Sequence, residues 1–108
     1  MNQVTRIALA YMKKKEADAY HRWHKSLSDA RERFPKLHKG LGMLEELVRD
    51  GEFDGADVES NIEMAAWDAG WQGRRLPPWV KNLGKAYRIN VAKIHKDGMK
   101  ARQENDDY

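Results

Sequence analysis

The chain has 108 residues, of which 41% are hydrophobic and 34% are charged, and it contains no cysteine. This length suits one domain, and a charged fraction well above the usual quarter is typical of amphipathic helices with solvated outer faces. Without cysteine, disulfides and thiolate chemistry are excluded. No run approaches the roughly 18 apolar residues of a membrane span, and the apolar residues 4–12 precede three lysines rather than a signal-peptide cleavage site, so we expect a cytoplasmic protein.

The net charge of +3 is unevenly distributed along the chain. Residues 1–40 carry ten Lys/Arg against four Asp/Glu, residues 41–70 carry one against nine, and residues 71–108 carry nine against four. This order argues against a protein that coats nucleic acid on every side, because phosphate would repel the acidic segment. Either the acidic segment packs between the basic ones and neutralises them, or the basic segments form one polyanion-binding face.

The first predicted element is a helix over residues 2–34. Apolar side chains recur at helical spacing in two stripes, one over residues 4–12 and one over residues 20–34. The polar stretch between the stripes holds no glycine or proline, so we predict one continuous helix rather than two. Pro35 ends this helix, because the residue before a proline is driven out of the helical region.

A second, short helix is predicted over residues 41–49, after a basic connector over residues 36–40. Leucine and valine recur at helical spacing in it. Asp50-Gly51 ends it, since glycine readily adopts the left-handed conformation found at helix ends. The following turn is predicted to place Phe53 against the core.

A third helix is predicted to begin at Asp57, which is a suitable N-cap residue. Its first apolar line consists of Val58, Ile62, Ala65 and Ala69, and its second of Met64, Trp67 and Trp71. We predict that Gly70 and Gly73 end it. Large apolar side chains are needed inside a small domain, so we favour core positions for the tryptophans.

A fourth helix is predicted from Pro78, a residue suited to the first helical position, to about Lys96, with Gly98 as its stop. No alternating strand pattern and no internal repeat occurs. The predicted fold class is therefore all-α, a small bundle of three to four helices with short connectors. One domain covers residues 1–102, and residues 103–108 form an acidic tail that we expect to fray.

Signals for catalysis or metal binding are weak. Asp18, His21 and His24 stand three residues apart, which brings neighbours close on a helix, but no second ligand group accompanies them. The chain has no phosphate-cradling glycine loop, no nucleophile elbow and no Cys/His pair. We therefore predict that the protein is not an enzyme and has no cofactor, no metal and no small-molecule substrate.

Two basic surfaces are the predicted binding sites for a macromolecular partner. Arginine and lysine beside aromatic side chains suit phosphate contact together with base stacking. The first surface consists of Lys13, Lys14, Lys15, Arg22 and Lys25, and the second of Arg74, Arg75, Lys81, Lys85 and Arg88. Adjacent arginines on a tight Gly/Pro turn should point outward, whatever they bind.

Three motifs follow one another around this turn. The run Trp67-Asp68-Ala69-Gly70-Trp71-Gln72-Gly73-Arg74 is followed by Pro78-Trp79 and then by Leu83-Gly84-Lys85-Ala86-Tyr87-Arg88. Residues 67–88 thereby resemble, in part, the ribosome modulation factor family, which carries an aromatic-x-Ala-Gly-x-x-Gly-Arg run, a Pro-aromatic pair and a Leu-Gly-x-aromatic-Arg region. The resemblance implies two helices joined by a basic turn and a protein that binds ribosomal RNA and silences ribosomes. The positions it carries over are Gly73, Arg74 and Pro78.

These features favour a small non-enzymatic binding protein that regulates or inhibits a larger macromolecular machine. The preferred target is an RNA- or DNA-containing complex contacted through the basic Trp/Arg-rich turn. One alternative is an inhibitor of a host protein, of the kind phages encode for host takeover or anti-defence, in which the acidic segment 45–63 mimics phosphate. Its candidate residues are Glu45, Glu46, Asp50, Glu52 and Asp54. A metal-dependent enzyme is a further alternative, and the oligomeric state stays open.

Overall fold

The computed structural model describes residue 18, residues 20–51 and residues 57–106. Within this part of the chain the fold is all-α and contains no strand, which confirms the predicted fold class. The helices are α1 over residues 20–33, α2 His38–Arg49, α3 Val58–Trp71, α4 Pro78–Tyr87 and α5 Val91–Asp106, with a 3-10 turn Pro35–Leu37 between α1 and α2. Of the helices in these ranges, none has the length and apolar content needed to cross a membrane.

Several helix ends lie where local sequence signals place them. Helix α1 ends directly before Phe34 and Pro35, and α4 starts at Pro78 as predicted. Helix α2 ends at Asp50 and Gly51, with Gly51 at a φ of 77°, but it starts at His38 because the 3-10 turn leads straight into it. The predicted connector over residues 36–40 is therefore helical in large part.

Asp57 caps α3 as predicted. Its side-chain oxygen accepts a hydrogen bond of 2.7 Å from the backbone N–H of Ser60, which satisfies one of the free donors of the first turn. A second such donor, the N–H of Val58, binds the hydroxyl of Ser26 in α1 at 2.9 Å. The start of α3 is thus held to α1 by a hydrogen bond as well as by apolar packing.

All five helices contribute to one core. Leu41 and Leu44 of α2 are fully buried, and the predicted first apolar line of α3 is buried along its length. The core comprises Trp23, Leu27, Ala30, Leu41, Leu44, Val58, Ile62, Ala65, Ala66, Val80, Leu83 and Val91. Phe53, which the sequence also predicts against the core, lies outside the described residues.

Helices α3 and α5 make the most extensive of the contacts among α2 to α5. Where these two helices meet, a Cβ atom on Gly70 would overlap the carbonyl group of His95. A Cβ atom on Gly98 would likewise overlap the carbonyl group of Trp67. We call this pair of approaches the glycine contact. Gly98 lies inside α5, so that predicted stop is wrong, whereas α3 ends at Trp71, between the predicted Gly70 and Gly73. Only Gly73, at a φ of 69°, closes α3 as predicted.

The single fourth helix that the sequence predicted is two helices, α4 and α5. Arg88 adopts left-handed backbone angles (φ 58°, ψ 39°), and the N–H of Ile89 donates to the carbonyl oxygen of Gly84 at 2.8 Å. Asn90 then caps α5 through the N–H of Lys93. The apolar spacing continues through the break, which is why periodicity alone did not reveal it. Helix α5 extends to residue 106, into the predicted tail.

The glycine contact predicts opposite effects for two glycine-to-alanine changes. Gly98→Ala should lower the free energy of unfolding by about 1–3 kcal/mol, because the methyl group meets backbone atoms of α3 that cannot move aside independently. Gly42→Ala, in α2, is the matched control: no atom lies within 4 Å of the added methyl group, so it should stabilise by about 0.5–1 kcal/mol. Urea unfolding followed by circular dichroism measures both, and equal stabilisation by both changes would contradict the close approach.

Candidate functional site

The basic turn over residues 72–77 joins α3 to α4 and is anchored through the backbone of Arg74. Gly73 supplies the left-handed conformation, and the N–H of Arg74 donates to the carbonyl oxygen of Ala69 at 2.8 Å. The Nε2–H of His95 donates to the carbonyl oxygen of Arg74 at 2.6 Å, which ties the turn to α5. The side chains of Arg74 and Arg75 are both exposed. The turn therefore presents two guanidinium groups from a fixed backbone.

These arginines border a groove formed by α2, α3 and α4. A cavity of about 220 Å³ lies between the turn, Met43, Asp68 and Trp79. A second cavity, of about 520 Å³, adjoins it and extends between the 3-10 turn and α4. The two cavities share Met43 and Trp79 among their lining residues, so they are neighbours, and we name the pair of them as one groove. We define this basic groove by Lys36, Lys39, Met43, Arg74, Arg75 and Trp79.

The basic groove combines an apolar floor with positive charge. Met43 is 40% exposed and Trp79 is half-buried, so both offer apolar surface to a ligand. The part of the groove beside Lys36 and Lys39 has no carboxylate among its lining residues. At the other end the carboxylate of Asp68 accepts long hydrogen bonds, of 3.3 and 3.4 Å, from the amide of Gln72. Four cations against one carboxylate favour an anionic ligand with apolar parts.

Lys36 and Lys39 were not among the predicted site residues. The sequence marked them only as part of a basic connector. They line a cavity together with Trp79 because α2, which follows the 3-10 turn, packs against α4. Their part in the groove is a consequence of tertiary packing, which no local pattern of the chain indicates.

The other predicted basic residues do not join this groove. Lys81 and Lys85 of α4, and Arg88 directly after it, are exposed but do not line the groove. Arg22 and Lys25 are likewise exposed, on α1. Lys13, Lys14 and Lys15 lie outside the described residues. The structure thus brings Arg74 and Arg75 together with lysines of the α1–α2 junction.

The acidic candidates are partly engaged within the protein. The carboxylate of Glu45 forms an ion pair with Arg31 of α1, which matches charge between a basic and an acidic helix. Asp50 lies 4.0 Å from Arg49, and Glu46 is exposed. Surface pairs of this kind contribute little to stability. Glu52 and Asp54 lie outside the described residues, so the proposed phosphate mimic gains no structural support.

The expectation that the turn tryptophans anchor the core is wrong for Trp67, which is 39% exposed. Its ring stacks on that of Trp71 at 5.2 Å, and the guanidinium of Arg102 lies 5.4 Å from the Trp71 ring centre. Trp71 and Trp79 are half-buried, whereas Trp23 is 4% exposed. At the glycine contact the backbones of α3 and α5 are too close for a side chain to lie between them. The indoles of Trp67 and Trp71 therefore lie outside the space between the two helices.

The described residues offer no group of three His, Asp or Glu side chains that could hold a metal ion. In the predicted Asp18, His21 and His24 series, both imidazole rings lie against the ring of Tyr20. Away from the groove, burial raises the pKa of Tyr87 above its ordinary value, although Arg33 opposes this shift. These side chains suggest no catalytic arrangement.

Comparison of the chain with protein-family models, with curated proteins and with solved structures finds no match. The resemblance of residues 67–88 to the ribosome modulation factor family stays a prediction that depends on those residues alone. Two helices joined by a basic turn are a common arrangement. The functional argument therefore depends on the geometry of the groove.

Proposed function

We propose that this is a small non-enzymatic binding protein that regulates or inhibits a nucleic-acid-containing machine by docking on single-stranded nucleic acid. One observation supports this proposal above the others. The exposed arginines of the basic turn line one cavity, Lys36 and Lys39 line a neighbouring one, and the two cavities share Met43 and Trp79. Cations would bind the phosphates, and the indole would stack on a base.

The shape of the groove favours a single strand over a duplex. Bases of a duplex are stacked on each other and cannot reach a recessed aromatic ring, whereas the bases of a single strand can turn out to it. Cations at both ends of the groove suit a backbone that runs along it. The target within the machine is therefore an unpaired segment of RNA or DNA.

Removal of both turn arginines should weaken binding and change its salt dependence. A plot of log affinity against log salt has a negative slope, and we expect Arg74→Ala/Arg75→Ala to make it less steep by about 1.4. Each phosphate contact to a single strand contributes about 0.7 to the steepness of the slope. Fluorescence anisotropy with labelled oligouridine and oligothymidine measures this. Lys93→Ala/Lys100→Ala, which removes two exposed lysines of α5, is the matched control and should change the slope little. Equal slopes for wild type and the arginine variant would contradict the proposal.

A second pair of variants tests whether the oligonucleotide binds in the groove or at any basic surface of the protein. Lys36→Ala/Lys39→Ala should weaken oligonucleotide binding by a factor similar to that of the arginine variant, because these lysines line the other end of the groove. Lys81→Ala/Lys85→Ala removes the same charge from exposed positions of α4 outside the groove and should have a smaller effect. The reverse order of effects would show that the predicted surface on α4, rather than the groove, binds the strand.

A further inference from the structure

A second exposed surface, outside the basic groove, lies on α3 and α5. Met64 and Trp67 are 36% and 39% exposed and share a helix face with Trp71 by their spacing. Arg102 of α5 covers the ring of Trp71, and Met99, which is 49% exposed, lies one turn before Arg102. The apolar surface therefore runs across both helices. We call it the tryptophan face: Met64, Trp67, Trp71, Met99 and Arg102.

The glycine contact determines the shape of this face. Because the backbones of α3 and α5 touch at Gly70 and Gly98, the furrow between the two helices is shallow. A single peptide helix docks best in a deep apolar groove, whereas the cavity of about 570 Å³ at this face lies at its end, between Trp71, Gln72, Gly73 and Arg102. A shallow two-helix face is better covered by a second face of the same shape. Large exposed apolar side chains grouped in this way are typical of interaction sites.

The charged side chains that flank the tryptophan face are negative on α3 and positive on α5. On α3 the flanking side chains are carboxylates: Glu63 lies one turn before Trp67, and Asp68 lies one turn after Met64. On α5 the flanking side chain one turn before Met99 is Lys96, and the one a turn after it is Arg102. Asp68 also lines the basic groove, so this residue borders both surfaces.

We propose that the tryptophan face is the interface of a homodimer. A two-fold axis that lies in the interface and runs along the helices places α3 of each copy over α5 of the other. This arrangement buries both apolar strips and sets the carboxylates of one copy against the cations of the other, so the surface is complementary to itself. An axis across the helices would instead oppose like charges. The dimer carries two basic grooves, and the proposal does not depend on what they bind.

Sedimentation velocity over a range of concentrations tests this proposal on the full chain. The wild type should shift from monomer to dimer as its concentration rises. Trp67→Ala should raise the dimer dissociation constant at least about 30-fold, the effect of losing a central aromatic anchor. Met99→Glu should abolish the dimer, whereas Met43→Glu, at a similarly exposed methionine in the basic groove, should leave it unchanged. Circular dichroism of each variant confirms that it is folded.

A charge exchange tests the pairing of α3 with α5. Asp68→Lys and Lys96→Glu should each weaken the dimer, and the two changes together should restore it, because both residues lie beside the glycine contact and a two-fold axis along the helices sets Asp68 of one copy opposite Lys96 of the other. A monomeric wild type at every concentration, or a double variant weaker than both single variants, would overturn the proposal. If the wild type is monomeric and Met99→Glu instead weakens oligonucleotide binding, the face belongs to a nucleic-acid interface and the homodimer is wrong.

Discussion

Two glycines, Gly70 and Gly98, allow α3 and α5 to pack backbone against backbone, and much of the surface follows from this contact. No side chain fits between the helices there, so the indoles of Trp67 and Trp71 lie at its edge, stacked on each other. Packing of α5 beside the end of α3 also brings His95 to the carbonyl oxygen of Arg74. A single packing constraint therefore exposes an aromatic face and fixes the turn that presents the arginines.

The two surfaces suit different partners because they differ in charge and in shape. The basic groove is recessed and flanked by cations at both ends, which suits a polyanion with exposed bases. The tryptophan face is shallow and carries carboxylates along one helix and cations along the other, which suits a copy of itself. In a dimer of this kind, two grooves could bind neighbouring segments of one strand, and linked sites of this sort gain affinity from their high effective concentration.

Local chemistry made the all-α fold and several helix ends predictable. Three such residues act through their nearest neighbours and lie where the sequence indicates: Pro35 directly after α1, Asp57 as an N-cap and Pro78 at the start of α4. What the sequence could not indicate depends on contacts between distant segments. From the sequence, Gly98 was indistinguishable from a helix stop, and only its contact with α3 explains a glycine inside α5. The lysines of the connector join the groove only because α2 packs on α4.

The outward position of Trp67 follows directly from the glycine contact, and the homodimer requires it. Fluorine NMR of the Met99→Glu variant labelled with fluorotryptophan can test it, with each of the four tryptophans assigned by substitution with phenylalanine. A soluble gadolinium chelate should relax the Trp67 resonance most strongly and that of the buried Trp23 least. If Trp67 proves as protected from the chelate as Trp23, the two helices do not meet through their glycines.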